Sequence, residues 1–124
     1  MITRAFAEAF AAEWIAAWNA HDLERILSHY GDDLVFSSPF IAMRFGEPSG
    51  ALAGKAAVRA YWADGLARQP ALRFRLRAAY VGVASVVLHY DRHDGRVGAE
   101  HFEFGADGKV LRSSAHYAPA AEAR

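Results

Sequence analysis

Two residues late in the chain, His89 and Glu100, have side chains that could pass a proton between them. They flank Asp94-Gly95, a dipeptide that favours a two-residue hairpin turn, and the segments on either side are rich in β-branched and aromatic residues. Centring the turn on Asp94 and Gly95 sets His93 opposite Arg96 and His89 opposite Glu100. Directly opposed residues share a sheet face, so the imidazole and the carboxylate become neighbours. Val87 and Phe102 follow on that face, and Asp91 stands nearer the hairpin end. A carboxylate paired with a histidine beside an apolar wall suits general acid–base chemistry. An ordinary cross-strand ion pair is the plainer alternative.

The composition describes the material available to enclose such a pair. The chain has 124 residues, enough for a core without staples, and is read as one domain spanning 1–124 with its core over about 4–117. Apolar residues make up 53% and aromatic residues 13%, which is ample to line a cavity. Fourteen basic and fourteen acidic residues cancel, so there is no electrostatic footprint for nucleic acid or an anionic membrane. Cysteine is absent, which excludes disulfide and thiolate chemistry and fits a cytoplasmic setting. The apolar stretch Ala5–Ala20 is interrupted by Glu8 and Glu13 and is too short and too charged to span a bilayer.

The elements that must position the pair follow from periodicity. Phe6, Phe10, Trp14 and Trp18 recur every four residues, which predicts a helix over Thr3–Asn19 with one aromatic face. Asp22 is an N-cap for a second helix through about Tyr30, closed by a left-handed Gly31. Leu34–Ser38 is a short strand stopped by Pro39, with Leu34, Phe36 and Ser38 on one side. Residues 40–53 form an apolar loop, either a lid or a packing segment. Gly54–Gln69 is a third helix with Val58, Tyr61, Trp62 and Leu66 inward. In the next strand Leu72, Phe74 and Leu76 alternate with an outward row of Arg73, Arg75 and Arg77. After the hairpin, Gly105–Gly108 turns into a last strand over Lys109–Tyr117, and a loose tail follows over 118–124. The order is helix, helix, strand, helix and four antiparallel strands, an α+β domain whose curved sheet wraps the helices.

Three stretches carry a family resemblance: Trp14–Leu27 (WIAAWNAHDLERIL), Tyr30–Pro39 (YGDDLVFSSP) and Glu100–Val110 (EHFEFGADGKV). In them the chain resembles the SnoaL-like branch of the nuclear transport factor 2-like superfamily, home of polyketide cyclases and ketosteroid isomerases. The resemblance covers nearly all of residues 4–117. It implies a cone-shaped barrel, with three N-terminal helices on a curved, mostly antiparallel sheet around a deep apolar pocket, and a homodimer. Such a fold hosts many reactions and does not itself choose one.

Carried over residue by residue, the isomerase pattern is incomplete. The position of its general-base aspartate is Ser38, a hydroxyl with little basicity. The position of its oxyanion-hole tyrosine is Trp14, and that of its second, protonated donor is Glu100. Phe102 and Phe104 match wall positions. His89 could supply the missing base, as a histidine does in dehydratases of this fold. In the family register Leu111, Ser113, Ala115 and Tyr117 face inward; a one-residue shift would exchange Tyr117 for His116. The candidate catalytic residues are thus His89 and Glu100. Trp14, Trp18, Phe36, Ser38, Tyr61, Trp62, Asp91, Phe102 and Tyr117 are the candidate ligand contacts.

The six histidines are scattered without ligand spacing, so no metal is expected, and no flavin, nicotinamide or nucleotide fingerprint is present. The expected function is binding of a small hydrophobic molecule, with cofactor-independent isomerase, cyclase or dehydratase chemistry at the Glu–His pair. A non-catalytic ligand-binding or dimerisation domain of the same fold is the alternative.

Overall fold

The first helix, α1 (Arg4–Asn19), starts where Thr3 caps it, its hydroxyl accepting from the Phe6 amide at 3.0 Å. Its buried face holds Phe10, Trp14 and Trp18 together with Ala7, Ala11 and Ala17, so large rings alternate with small residues. The computed structural model describes residues 1–118. After α1 come α2 (Leu23–Leu27), β1 (Tyr30–Ser37), α3 (Pro39–Arg44), β2 (Ala51–Ala53) and α4 (Lys55–Arg68). The chain then runs through β3 (Phe74–Val81), β4 (Ser85–Arg92), β5 (Val97–Phe104) and β6 (Val110–Ala118).

All six strands form one sheet in the order β2-β1-β6-β5-β4-β3, with β1 and β6 parallel and every other pair antiparallel. The sheet is curved and open, which corrects the expected cone-shaped barrel. β2 and β3 are its two free edges. β2 is only three residues long, and β3 is bulged between Leu76 and Ala78 and carries charged Arg75 and Arg77, with Arg73 just before it, features that discourage further pairing. Helices take the place of closure, α1 packing on β3 and α4 on β1.

The α1–β3 contact is tied by the turn that follows the helix. The Asn19 side chain acts as a strand neighbour to Phe74, donating to its carbonyl at 2.9 Å and accepting from its amide at 2.7 Å. His21 sits at φ 54° and shares a 2.8 Å hydrogen bond with the Leu72 carbonyl. Both side chains satisfy backbone groups at the start of an edge strand. No helix among the described residues is long and apolar enough to cross a membrane.

Several local expectations are corrected. The loop expected over 40–53 contains α3 and β2. Ser38 is the N-cap of α3, and Pro39 occupies the first helical position, where its missing amide costs nothing. The second helix ends at Leu27, and Tyr30 and Gly31 belong to β1. Leu76 is 38% exposed beside the β3 bulge. Leu111 is the extra residue of a bulge in β6, between the pairs Phe104–Val110 and Glu103–Arg112, and is 51% exposed. Ala118, placed in the tail by sequence, pairs with Val97; the rest of that expected tail lies outside the described residues.

The correction with most consequence is at the hairpin. Arg92 N donates to Arg96 O at 2.9 Å, and Gly95 takes φ 86°, so the loop has three residues, His93 to Gly95. Asp94 stabilises it from inside, its carboxylate accepting from the Arg96 amide and from Arg92 Nε. The extra loop residue moves β4 by one. Leu88 faces Glu100, and His89 faces Ala99. A one-residue slip turns every β4 side chain over, so Val86, Leu88, Tyr90 and Arg92 point inward and Val87, His89 and Asp91 outward.

Gly98 shows how tightly this register is held. It lies opposite Tyr90, and a Cβ there would stand 2.6–2.9 Å from the phenol ring. We expect Gly98→Ala to destabilise the fold by about 1–3 kcal/mol through overpacking. Urea unfolding measures this; an unchanged midpoint would show that the ring is not pinned by β5.

Candidate active site

Glu100 projects from the middle of β5 and is 4% exposed. Its two oxygens are held by diagonal neighbours on either side. Tyr90 of β4 donates to Oε1 at 3.1 Å, and Ser113 of β6 donates to Oε2 at 3.2 Å. Both positions follow from the ladders, since Glu100 pairs directly with Leu88 and Ala115. Burial dominates the carboxyl's chemistry and pushes its pKa up to about 7, against the two hydroxyl donors and the charge of Arg92, which pull it down. Near neutral pH it can therefore either give or take a proton.

Beside it opens a cavity of about 310 Å³. Trp14 and Trp18 of α1, Phe36 of β1, Tyr61 and Trp62 of α4, and Tyr117 of β6 contribute to its wall, with Glu100 at its inner side. The rings also pack on one another. Trp14 stacks on Phe74 at 5.5 Å, and Trp18 and Phe36 each meet Trp62 edge-on, at 5.3 and 5.2 Å. Burial raises the phenols of Tyr61, Tyr90 and Tyr117, so all three remain hydrogen-bond donors at neutral pH. The Ser38 hydroxyl faces Tyr61 and Tyr117 and partly offsets that rise.

The expected Glu–His pair does not form. His89 is half-buried on the opposite face of the sheet, across from Ala99. Asp91 is on that outer face too, bound by Arg75 at 3.0 Å and Arg77 at 3.1 Å; the Arg75 hydrogen bond holds its carboxyl below the usual range. Phe102 is fully buried against Phe10 and Trp14, in the core behind the cavity. Trp14 lines the cavity, but its indole N–H is already donated to the Tyr30 hydroxyl at 3.0 Å. Ser38 is buried and accepts from the Phe40 amide at 3.2 Å, the cap of α3. His116 is exposed, while Tyr117 reaches the cavity.

Sequence reasoning missed Tyr90, Arg92 and Phe40, and it placed Ser113 on the inner face without pairing it to Glu100. Arg92 lines the cavity with only 5% of its side chain exposed. Its Nε contacts Asp94 at 3.3 Å, and its Nη2 donates to Gln69 at 3.2 Å. One signal could have found Tyr90 and Arg92. Within β4 the even positions Val86, Leu88 and Tyr90 are more apolar than the odd positions Val87, His89 and Asp91. Alternation alone therefore gives the correct face.

The comparisons with known proteins bear on the family. The model of the SnoaL-like domain matches residues 11–113. A SnoaL-like protein of unknown function from Burkholderia thailandensis E264 is 52% identical, with a TM-score of 0.92 over 94% of this chain and 98% of that one. A protein of unknown function with a cystatin-like fold from Methylobium petroleophilum PM1 shares the fold at 21% identity and TM-score 0.76, over 99% of this chain and 83% of its own. An NTF2-like protein of unknown function from Cytophaga hutchinsonii ATCC 33406 does so at 16% identity and TM-score 0.69, over 96% of both chains. No curated protein matches the chain in sequence. A family match over most of the chain, with a half-identical relative of nearly the same structure, places it: the protein belongs to the SnoaL-like domain family.

Proposed function

We propose that the cavity receives a small hydrophobic carbonyl compound and that Glu100 moves a proton on it, an isomerase-, cyclase- or dehydratase-type step without a cofactor. The observation that carries this reading is a buried carboxyl beside an aromatic cavity, poised near neutrality by its surroundings. A carboxyl of this kind can remove a proton next to a carbonyl and return it at another carbon. The phenols of Tyr61 and Tyr117 supply donors for the oxygen on which charge collects. The aromatic lining lowers the local dielectric, which strengthens each of these interactions. The test is the exchange of the α-protons of 2-tetralone in D₂O, followed by proton NMR. Exchange above the buffer rate is expected, with a loss of about a hundredfold or more in Glu100→Gln. Equal exchange in both proteins would end the proton-transfer role.

One observation favours a second reading, a binding protein without turnover. Where isomerases of the family carry a base, Ser38 is committed to capping α3. Under that reading 2-tetralone binds both proteins alike by calorimetry, and neither accelerates exchange.

The charge state of Glu100 also has a signature in stability. The folded-state pKa of about 7 lies above the ordinary 4.5, so the folded chain holds this proton more tightly than the unfolded chain. Its contribution is fully present below about pH 4.5 and is lost as pH rises through about 7, by up to about 3 kcal/mol. Urea midpoints between pH 5 and 8 are expected to fall in the wild type, and Glu100→Gln should flatten that fall. Tyr90→Phe, which removes a hydroxyl that holds the pKa down, should extend the fall to higher pH. A wild-type slope that survives Glu100→Gln would assign the titration to another group.

A further inference from the structure

Three guanidinium groups converge on one ring in the wall of the cavity, Phe40. The Cζ atoms of Arg44, Arg96 and Arg92 stand 4.7, 5.4 and 5.6 Å from the centroid of Phe40. They come from α3, from the residue before β5, and from the end of β4, so the fold and not a local run of basic residues gathers them. Phe40 in turn stacks on Tyr117 at 4.6 Å, and Arg92 lies 5.2 Å over that phenol, which continues the cluster into the cavity wall.

Counter-charge is short here. Among the described residues Asp94 alone pairs with the trio, contacting Arg92 at 3.3 Å and Arg96 at 3.6 Å. Arg44 has no carboxylate partner among them. The neighbouring Arg68 is satisfied by Asp64 at 2.9 Å and adds no net charge. Among the described residues three guanidinium groups share one paired carboxylate around a single ring, in a chain whose formal net charge is zero. Stacking on Phe40 offsets part of their mutual repulsion. Arg92 is the most enclosed of the three. Asp94 and Gln69 use its Nε and Nη2, and its Nη1 makes no hydrogen bond among the described residues.

We propose that this cluster is an anion subsite and that the ligand of the cavity is a hydrophobic carboxylate. Its acid group would lie on Arg92, Arg44 and Arg96, and its apolar body among Trp18, Trp62 and Tyr61, toward Glu100. The proposal rests on the reading of the cavity as a ligand site and narrows it to one class of compound. A carboxylate matches the donor geometry of guanidinium and gains most from a cation held out of water.

The test uses two probes of one shape and different charge, 2-naphthoate and 2-naphthamide, titrated by calorimetry at pH 7.5 in low salt. The expected result is a preference of about tenfold or more for the naphthoate, shrinking toward parity in 0.5 M NaCl. In Arg44→Gln/Arg96→Gln, changed at the two less buried members of the cluster, the preference should fall several-fold while amide affinity stays within about twofold. Equal affinities in the wild type would overturn the anion subsite and leave the cavity reading standing. So would a naphthoate preference that the double variant leaves intact. Binding of neither probe would remove the cavity reading and this inference with it.

Discussion

The pairing of β4 with β5 is the constraint on which the site depends. A three-residue loop with Gly95 in the left-handed region sets Leu88, not His89, against Glu100. Everything inside follows from that step. Tyr90 comes within hydrogen-bonding distance of the carboxyl, and Arg92 arrives in the cavity wall. Gly98 leaves room for the Tyr90 ring, where any side chain would push it off β5. On the other face the same step collects Asp91 with Arg75 and Arg77, a solvated ion cluster remote from the cavity.

Around this register the chain solves a burial problem. An ionisable carboxyl sits among aromatic rings, and two neutral hydroxyls with one partly compensated guanidinium are all that temper its desolvation. That leaves its proton loosely decided near neutrality, the condition under which a carboxyl is useful for chemistry. The surrounding phenols do not compete for the charge, because burial drives their own ionisation out of reach. The open sheet gives the site its shape. With β2 and β3 unpaired at the edges, α1 and α4 supply walls that a closed sheet would have made from strands.

Much of this was legible in the residues. Aromatic spacing predicts α1 and its buried face, and Trp14, Trp18, Phe36, Tyr61, Trp62 and Tyr117, all expected ligand contacts, line the cavity. The family register put Glu100, Ser113 and Tyr117 inside. What failed was a count across a turn. Asp94-Gly95 marks a bend without saying whether two residues or three form it, and both solutions place glycine where a positive φ is needed. The bulges at Arg77 and Leu111 were hidden for a related reason, since an extra strand residue leaves no mark in a short pattern. Closure was the other misjudgement, because it depends on whether two edges far apart in sequence meet.

The chain has three tryptophans, Trp14, Trp18 and Trp62, and all three stand in the wall of one cavity. Their environments differ. Trp14 donates to Tyr30, while the Trp18 N–H is buried without a hydrogen-bond acceptor among the described residues and packs edge-on to Trp62. No fourth indole elsewhere dilutes them. The protein's ultraviolet-excited indole emission is therefore a built-in optical readout of that cavity, sensitive to its polarity and to any quencher that enters, with no attached dye.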